Sequence, residues 1–164
     1  MSEQYEYFAE VPEGYTADRP DGLWRRAGEE WEYLSLLDWQ WHNLAESTVR
    51  NHPPVDELEA VTVERAAALE ADRQGWVRYW ALYVDEEDHR EGEPATTVVR
   101  RRSSPEQELD ESYRGSKGIW GPTGAVAESR DPRTSNPPYL EAVSAERAEE
   151  LLQEIHGVTG ATEL

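Results

Sequence analysis

The chain repeats itself at half its own length. Leu58, Glu59, Ala60 and Val61 recur as Leu140, Glu141, Ala142 and Val143, and Glu64, Arg65, Ala66 and Leu69 recur as Glu146, Arg147, Ala148 and Leu151, each pair 82 residues apart in a chain of 164. Self-similarity at a fixed offset is the signature of a duplicated structural unit, so one half can adopt only a fold that the other half can also adopt.

The match continues toward the N-terminus with a smaller offset. Tyr7, Phe8 and Ala9 fall on Tyr79, Trp80 and Ala81 at offset 72, and Leu23 to Arg26 fall on Val98 to Arg101 at offset 75. Trp41 falls on Trp120 at offset 79, and Ala45, Glu46 and Ser47 fall on Ala127, Glu128 and Ser129 at offset 82. An offset that only grows is what insertions in the loops of a second copy produce, whereas chance matches would scatter. The division predicted is residues 1–74 for the first unit and 75–164 for the second.

Periodicity names the elements within each copy. Tyr5, Tyr7, Ala9 and Val11 alternate with Glu6, Phe8 and Glu10, and Val77 to Val84 is almost continuous in aromatic and aliphatic residues, so both read as strands. Leu23 to Arg26 and Thr96 to Arg101 read as second strands forming hairpins with the first. Leu58 to Val61 and Leu140 to Val143 read as third strands, each preceded by a proline pair that cannot continue a helix. Thr62 and Ser144 are suited to cap the closing helices, Glu64 and Glu146 suit their first turns, and Gly75 and Gly157 are placed to stop them. The expected fold is α+β: two tandem strand, strand, helical or irregular segment, strand, helix units, packed as a pseudo-twofold monomer. The residues between the copies, Asp72 to Gly75, are too few and too poor in Gly, Ser or Pro for a flexible tether.

Thirty-five acidic residues against 16 basic ones give a net charge of −19, and both halves share the excess. Such a field repels nucleic acid and anionic membranes and favours a cationic partner. One lysine against fifteen arginines points to a GC-rich genome. Cysteine is absent, which excludes disulfides, thiol nucleophiles and cysteine-ligated metals. The N-terminal residues MSEQYEYF carry neither a basic start nor an apolar run, so the expected location is cytoplasmic.

No catalytic, cofactor or metal signature is present in the sequence. His42, His52, His89 and His156 lack ligand spacing, although a fold could bring His42 near His52. Asp85 to Asp88 lack the glycine and alternating ligands of a calcium loop and read as a solvated connection. The glycines around Trp120 do not form a phosphate loop. The expectation is therefore no intrinsic metal, no cofactor, no catalytic residue and no small-molecule ligand. Two features suggest binding instead. Trp24, Trp31, Trp39 and Trp41 crowd the first copy, and Arg25 and Arg26 parallel the run Arg100 to Arg102. The candidate protein-binding patch comprises Trp31, Trp39 and Trp41 with the acids Glu29, Glu30, Glu32 and Asp38.

An aromatic strand (Tyr7 to Ala9), a G-L-x-R-R-like strand (Gly22 to Arg26), a W-x-P-T-like segment (Trp120 with Pro122 and Thr123) and a closing V-[ST]-x-E-x-A helix (Val143 to Ala148) resemble a group of short actinobacterial proteins. The resemblance implies a duplicated small α+β domain from an actinobacterium or one of its phages, and no activity. The first copy departs from it at Trp41, His42 and Asn43, where the proline is missing. The functional expectation is a non-enzymatic protein-binding module with a basic partner, its leading form an immunity or inhibitor protein masking a cationic effector. The alternative is a structural or accessory component of a larger assembly.

Overall fold

Alternation along the first copy produces β1 (Glu6–Glu10), β2 (Gly22–Ala27), β3 (Glu30–Leu34), β4 (Trp41–Asn43) and β5 (Leu58–Val61), which form one antiparallel sheet in the order β4-β3-β2-β1-β5. In the second copy β6 (Val77–Tyr83), β7 (Thr97–Ser104), β8 (Gln107–Arg114), β9 (Ile119–Pro122) and β10 (Tyr139–Val143) form another, in the order β10-β6-β7-β8-β9. Read from opposite ends, the two orders are the same. The computed structural model describes residues 4–115 and 117–164. The first compact unit runs through Trp76 and includes Arg102–Glu108, while the second comprises Val77–Arg101 and Leu109–Leu164.

The middle of each copy differs from the expected helical or irregular segment, being two further strands followed by a short helical turn. Glu30-Trp31-Glu32-Tyr33-Leu34 alternates at period two, and its aromatics suit a pleated, half-buried surface. The tryptophans had concealed this alternation because they occupy both faces of the sheet. Turn residues Leu44–Glu46 follow β4, with Asn43 Oδ1 accepting from the Ala45 amide at 2.9 Å, and helix α3, defined below, follows β9.

Among the described residues four α-helices form: α1 (Val63–Ala71), α2 (Glu86–Arg90), α3 (Ala125–Arg130) and α4 (Ala145–His156). Thr62 and Ser144 cap α1 and α4 as expected, each hydroxyl accepting from the backbone amide three residues on at 3.1 Å. Gly157 ends α4 in the left-handed region at φ 70°. Gly75 does not end α1. That helix stops at Ala71, Asp72 follows it, and Gly75 lies in the turn Arg73–Trp76, donating to the Asp72 carbonyl at 3.1 Å. Asp85 caps α2, so the acidic connection is a helical turn.

Each sheet carries a core on both faces. On one face of the first, Leu23, Leu34 and Leu36 pack with Ala66 and Leu69 of α1 and with Trp76; on the other, Phe8, Trp24, Trp31 and Tyr33 cluster with Leu44, Val49 and Leu58. The second unit repeats the division, with Val77, Tyr79, Val98 and Tyr113 against Ala148, Leu151 and Leu152 of α4, and Val99 with Ala125 and Val126 of α3. Burial of each such side chain contributes about 1.5 to 3 kcal/mol. Among the described residues no helix is long and apolar enough to cross a membrane.

Candidate functional site

Strand register carries the sequence match into three dimensions. Leu34 lies opposite Trp41, and Tyr113 lies opposite Trp120. With Trp41 and Trp120 equivalent, Glu32 therefore corresponds to Glu111, and Trp31 corresponds to Asp110.

Both units build the same cluster at these positions. Arg25 Nε donates to Glu32 Oε1 at 2.6 Å with its guanidinium 4.1 Å from the Trp41 ring, and Arg100 Nε donates to Glu111 Oε1 at 3.0 Å with its guanidinium 4.3 Å from the Trp120 ring. A guanidinium bonded at its edge to a carboxylate and lying over an indole satisfies charge and planar face together, and in the first unit the Tyr5 ring also lies 4.0 Å from it. The repeated arginines are thus internal fasteners of the sheets, which is why they recur.

The candidate binding residues separate into different environments. Trp41 and Glu32 belong to the fastener just described. Trp39 sits at φ 61° in the β3–β4 connection, partly buried beside the first core, with Arg73 5.2 Å from its ring. Asp38 accepts from His42 Nε2 at 2.7 Å, and its carboxyl lies below the ordinary value: partial desolvation opposes this, and the bonds from His42 and the Gln40 amide outweigh it. Trp31 is buried on the opposite face, and with the exposed Glu29 and Glu30 it lines a cleft of about 570 Å³.

The other walls of this cleft come from Arg26, noted in the sequence for its parallel with Arg101, and from Asn43, Arg50 and His52, which were not among the candidate binding residues. His52 stacks on Trp31 at 4.1 Å and 17°, its Nδ1 donating to the Pro53 carbonyl at 2.7 Å. Alternate residues of segment 49–53 face different depressions: Arg50 and His52 line the cleft, while Val49, Asn51 and Pro53 line a second cavity of about 250 Å³ with Glu10, Asp21 and Trp24. There Trp24 Nε1 donates to Glu10 Oε1 at 3.0 Å, and Asp21 Oδ1 is buried with no hydrogen-bond partner among the described residues. Burial pushes the Glu10 carboxyl above its ordinary value, the Trp24 bond opposes that, and the Asp21 charge adds to it.

The histidines stay apart. His42 pairs with Asp38, His89 Nε2 meets Glu141 Oε2 at 2.5 Å between the Tyr83 and Tyr139 rings, and His156 Nε2 lies 3.0 Å from Thr97 Oγ1. Both histidine–carboxylate pairs are partly open to solvent. Among the described residues no group of three or more histidines, cysteines and acids is placed to hold a metal ion. Comparison with protein-family models, with curated proteins and with solved structures gives no match.

Proposed function

We propose that the protein is a non-enzymatic binding module for a protein with a basic surface, in its most specific form an immunity or inhibitor protein that masks a cationic effector. One observation carries the reading. Several of the scarce bases are held in part-buried pairs, Arg25 with Glu32, Arg100 with Glu111 and Arg101 with Asp110. Acids such as Glu29, Glu30, Glu57, Glu59, Glu64, Glu86, Glu87, Glu146 and Glu150 remain at the surface. Each pair cancels one charge of each sign, so the full excess of −19 stays with the remaining, largely exposed groups, which steers cationic partners and repels anionic ones.

The tryptophans Trp39 and Trp41 are engaged in packing, so the proposed contacts fall on exposed carboxylates, Glu29 and Glu30 at the β2–β3 turn among them. The test is affinity capture from the source organism with the full chain at low and high salt, read by mass spectrometry beside a Glu29→Lys/Glu30→Lys variant. A basic protein retained at low salt and depleted by both salt and charge reversal is the expected result. Retention of neutral or acidic proteins only, indifferent to salt, would overturn the reading. The two sheets of equal strand order support a second reading, an assembly component with two similar docking units. In that case capture would return structural proteins in stoichiometric amounts.

A further inference from the structure

We propose that the cleft beside Trp31 binds a small oxyanion ligand, one bearing a carboxylate or a phosphate, through Arg26, Arg50 and Asn43. The inference is independent of the protein-binding reading and starts from a difference between the two copies. In the second unit Asp110 receives Nε and Nη2 of Arg101 at 2.6 and 2.9 Å, a closed fork. In the first unit the equivalent of Arg101 is Arg26, and the equivalent of Asp110 is Trp31. An indole cannot accept a fork. Arg26 instead lies 5.3 Å from the Trp31 ring and gives Nε to Glu6, itself exposed, at 2.7 Å. That bond uses one of the five donors a guanidinium carries.

A second cation joins it. Arg50 lines the same cleft, is exposed, and has no acceptor among the described residues, although 35 acids are available in the chain. At the offset of 82 that holds on both sides of this segment, Arg50 and His52 fall on Pro132 and Thr134, so the second copy lacks both groups. Asn43 has its Oδ1 committed to the Ala45 amide, which leaves the side-chain NH2 as a donor. His52, flat against Trp31, supplies an aromatic wall. Two guanidinia and an amide match the forked oxygens of a carboxylate or phosphate, and about 570 Å³ is the volume of a small-molecule site. Glu29 and Glu30 at the same cleft repel anions, a polyanion such as nucleic acid most, so the ligand favoured is a compact one of low charge held by both guanidinia.

The experiment titrates the full chain with sodium phosphate and, separately, sodium acetate, against sodium chloride at matched ionic strength, following backbone-amide and arginine Nε–H resonances. Saturable shifts at Arg26, Asn43 and Arg50 with either oxyanion, and none with chloride, are expected; whichever salt saturates first identifies phosphate or carboxylate as the preferred group. Arg50→Gln is expected to weaken binding at least about tenfold. Trp31→Asp, which restores the closed fork of the second unit, is expected to abolish it. Because Arg50 is exposed, Arg50→Gln leaves the core intact and carries the test even where Trp31→Asp fails to fold. Shifts that rise linearly with every salt, chloride included, or unchanged affinity in Arg50→Gln would overturn the proposal.

Discussion

Three side chains carry measurable consequences of their surroundings. Glu10 has its carboxyl raised by burial, against the Trp24 bond and with the help of Asp21. The folded chain thus holds a proton that the unfolded chain has released at the same pH, and stability falls as pH rises through the interval above the ordinary carboxylate value. Glu10→Gln keeps an acceptor for Trp24 and removes the titration. It is expected to melt above the parent at neutral pH, with the difference closing as the solution is acidified. Trp39 holds φ 61°, a region costly for a bulky residue. Trp39→Ala and Trp39→Gly both lose the ring, and chemical denaturation is expected to find the glycine variant more stable by about 1 kcal/mol. The two fasteners differ in depth, with side-chain exposures of 9% and 17% for Arg100 and Glu111 against 18% and 21% for Arg25 and Glu32. Removing an anion costs more where the cation left behind is drier, so Glu111→Gln is expected to cost about 2 kcal/mol or more and Glu32→Gln about 1 kcal/mol.

At the scale of elements, the duplication explains what the sequence disclosed and what it concealed. The opening strands, the closing helices and their hydroxyl caps were readable because each rests on a local signal that occurs twice. The rise in offset from 75 to 79 between the second strands and the paired tryptophans has a structural cause: β7 and β8 are each eight residues long, whereas β2 has six and β3 five. That lengthened hairpin ends in residues 102–108, which belong to the first compact unit, where Ser104 Oγ accepts from the Leu36 amide at 3.1 Å. Nothing local in the sequence could announce this. The two closing glycines also part company, since Gly157 needs a left-handed backbone and Gly75 does not. Gly157→Ala is accordingly expected to lower stability by about 1 kcal/mol in thermal unfolding. The cleft was half legible: Trp31, Glu29 and Glu30 stood out by residue type, but Arg26, Asn43, Arg50 and His52 reach it from β2, β4 and segment 49–53. Only strand register brings those segments together, and only comparison with Asp110 shows that Arg26 has an indole where Arg101 has a cross-strand carboxylate.

For the whole molecule, the net charge of −19 acts over a distance set by the solution. Electrostatic attraction accelerates encounter and is screened within about 10 Å at 0.1 M salt and about 3 Å at 1 M, whereas short-range packing mainly sets the rate of departure. An acidic module that captures a basic protein should show these contributions separately. The decisive measurement is the association and dissociation rate of the captured basic partner by stopped-flow mixing across that range of salt. For charge-steered capture the association rate constant is expected to fall steeply as salt rises while the dissociation rate changes little; an association rate indifferent to salt would overturn the reading.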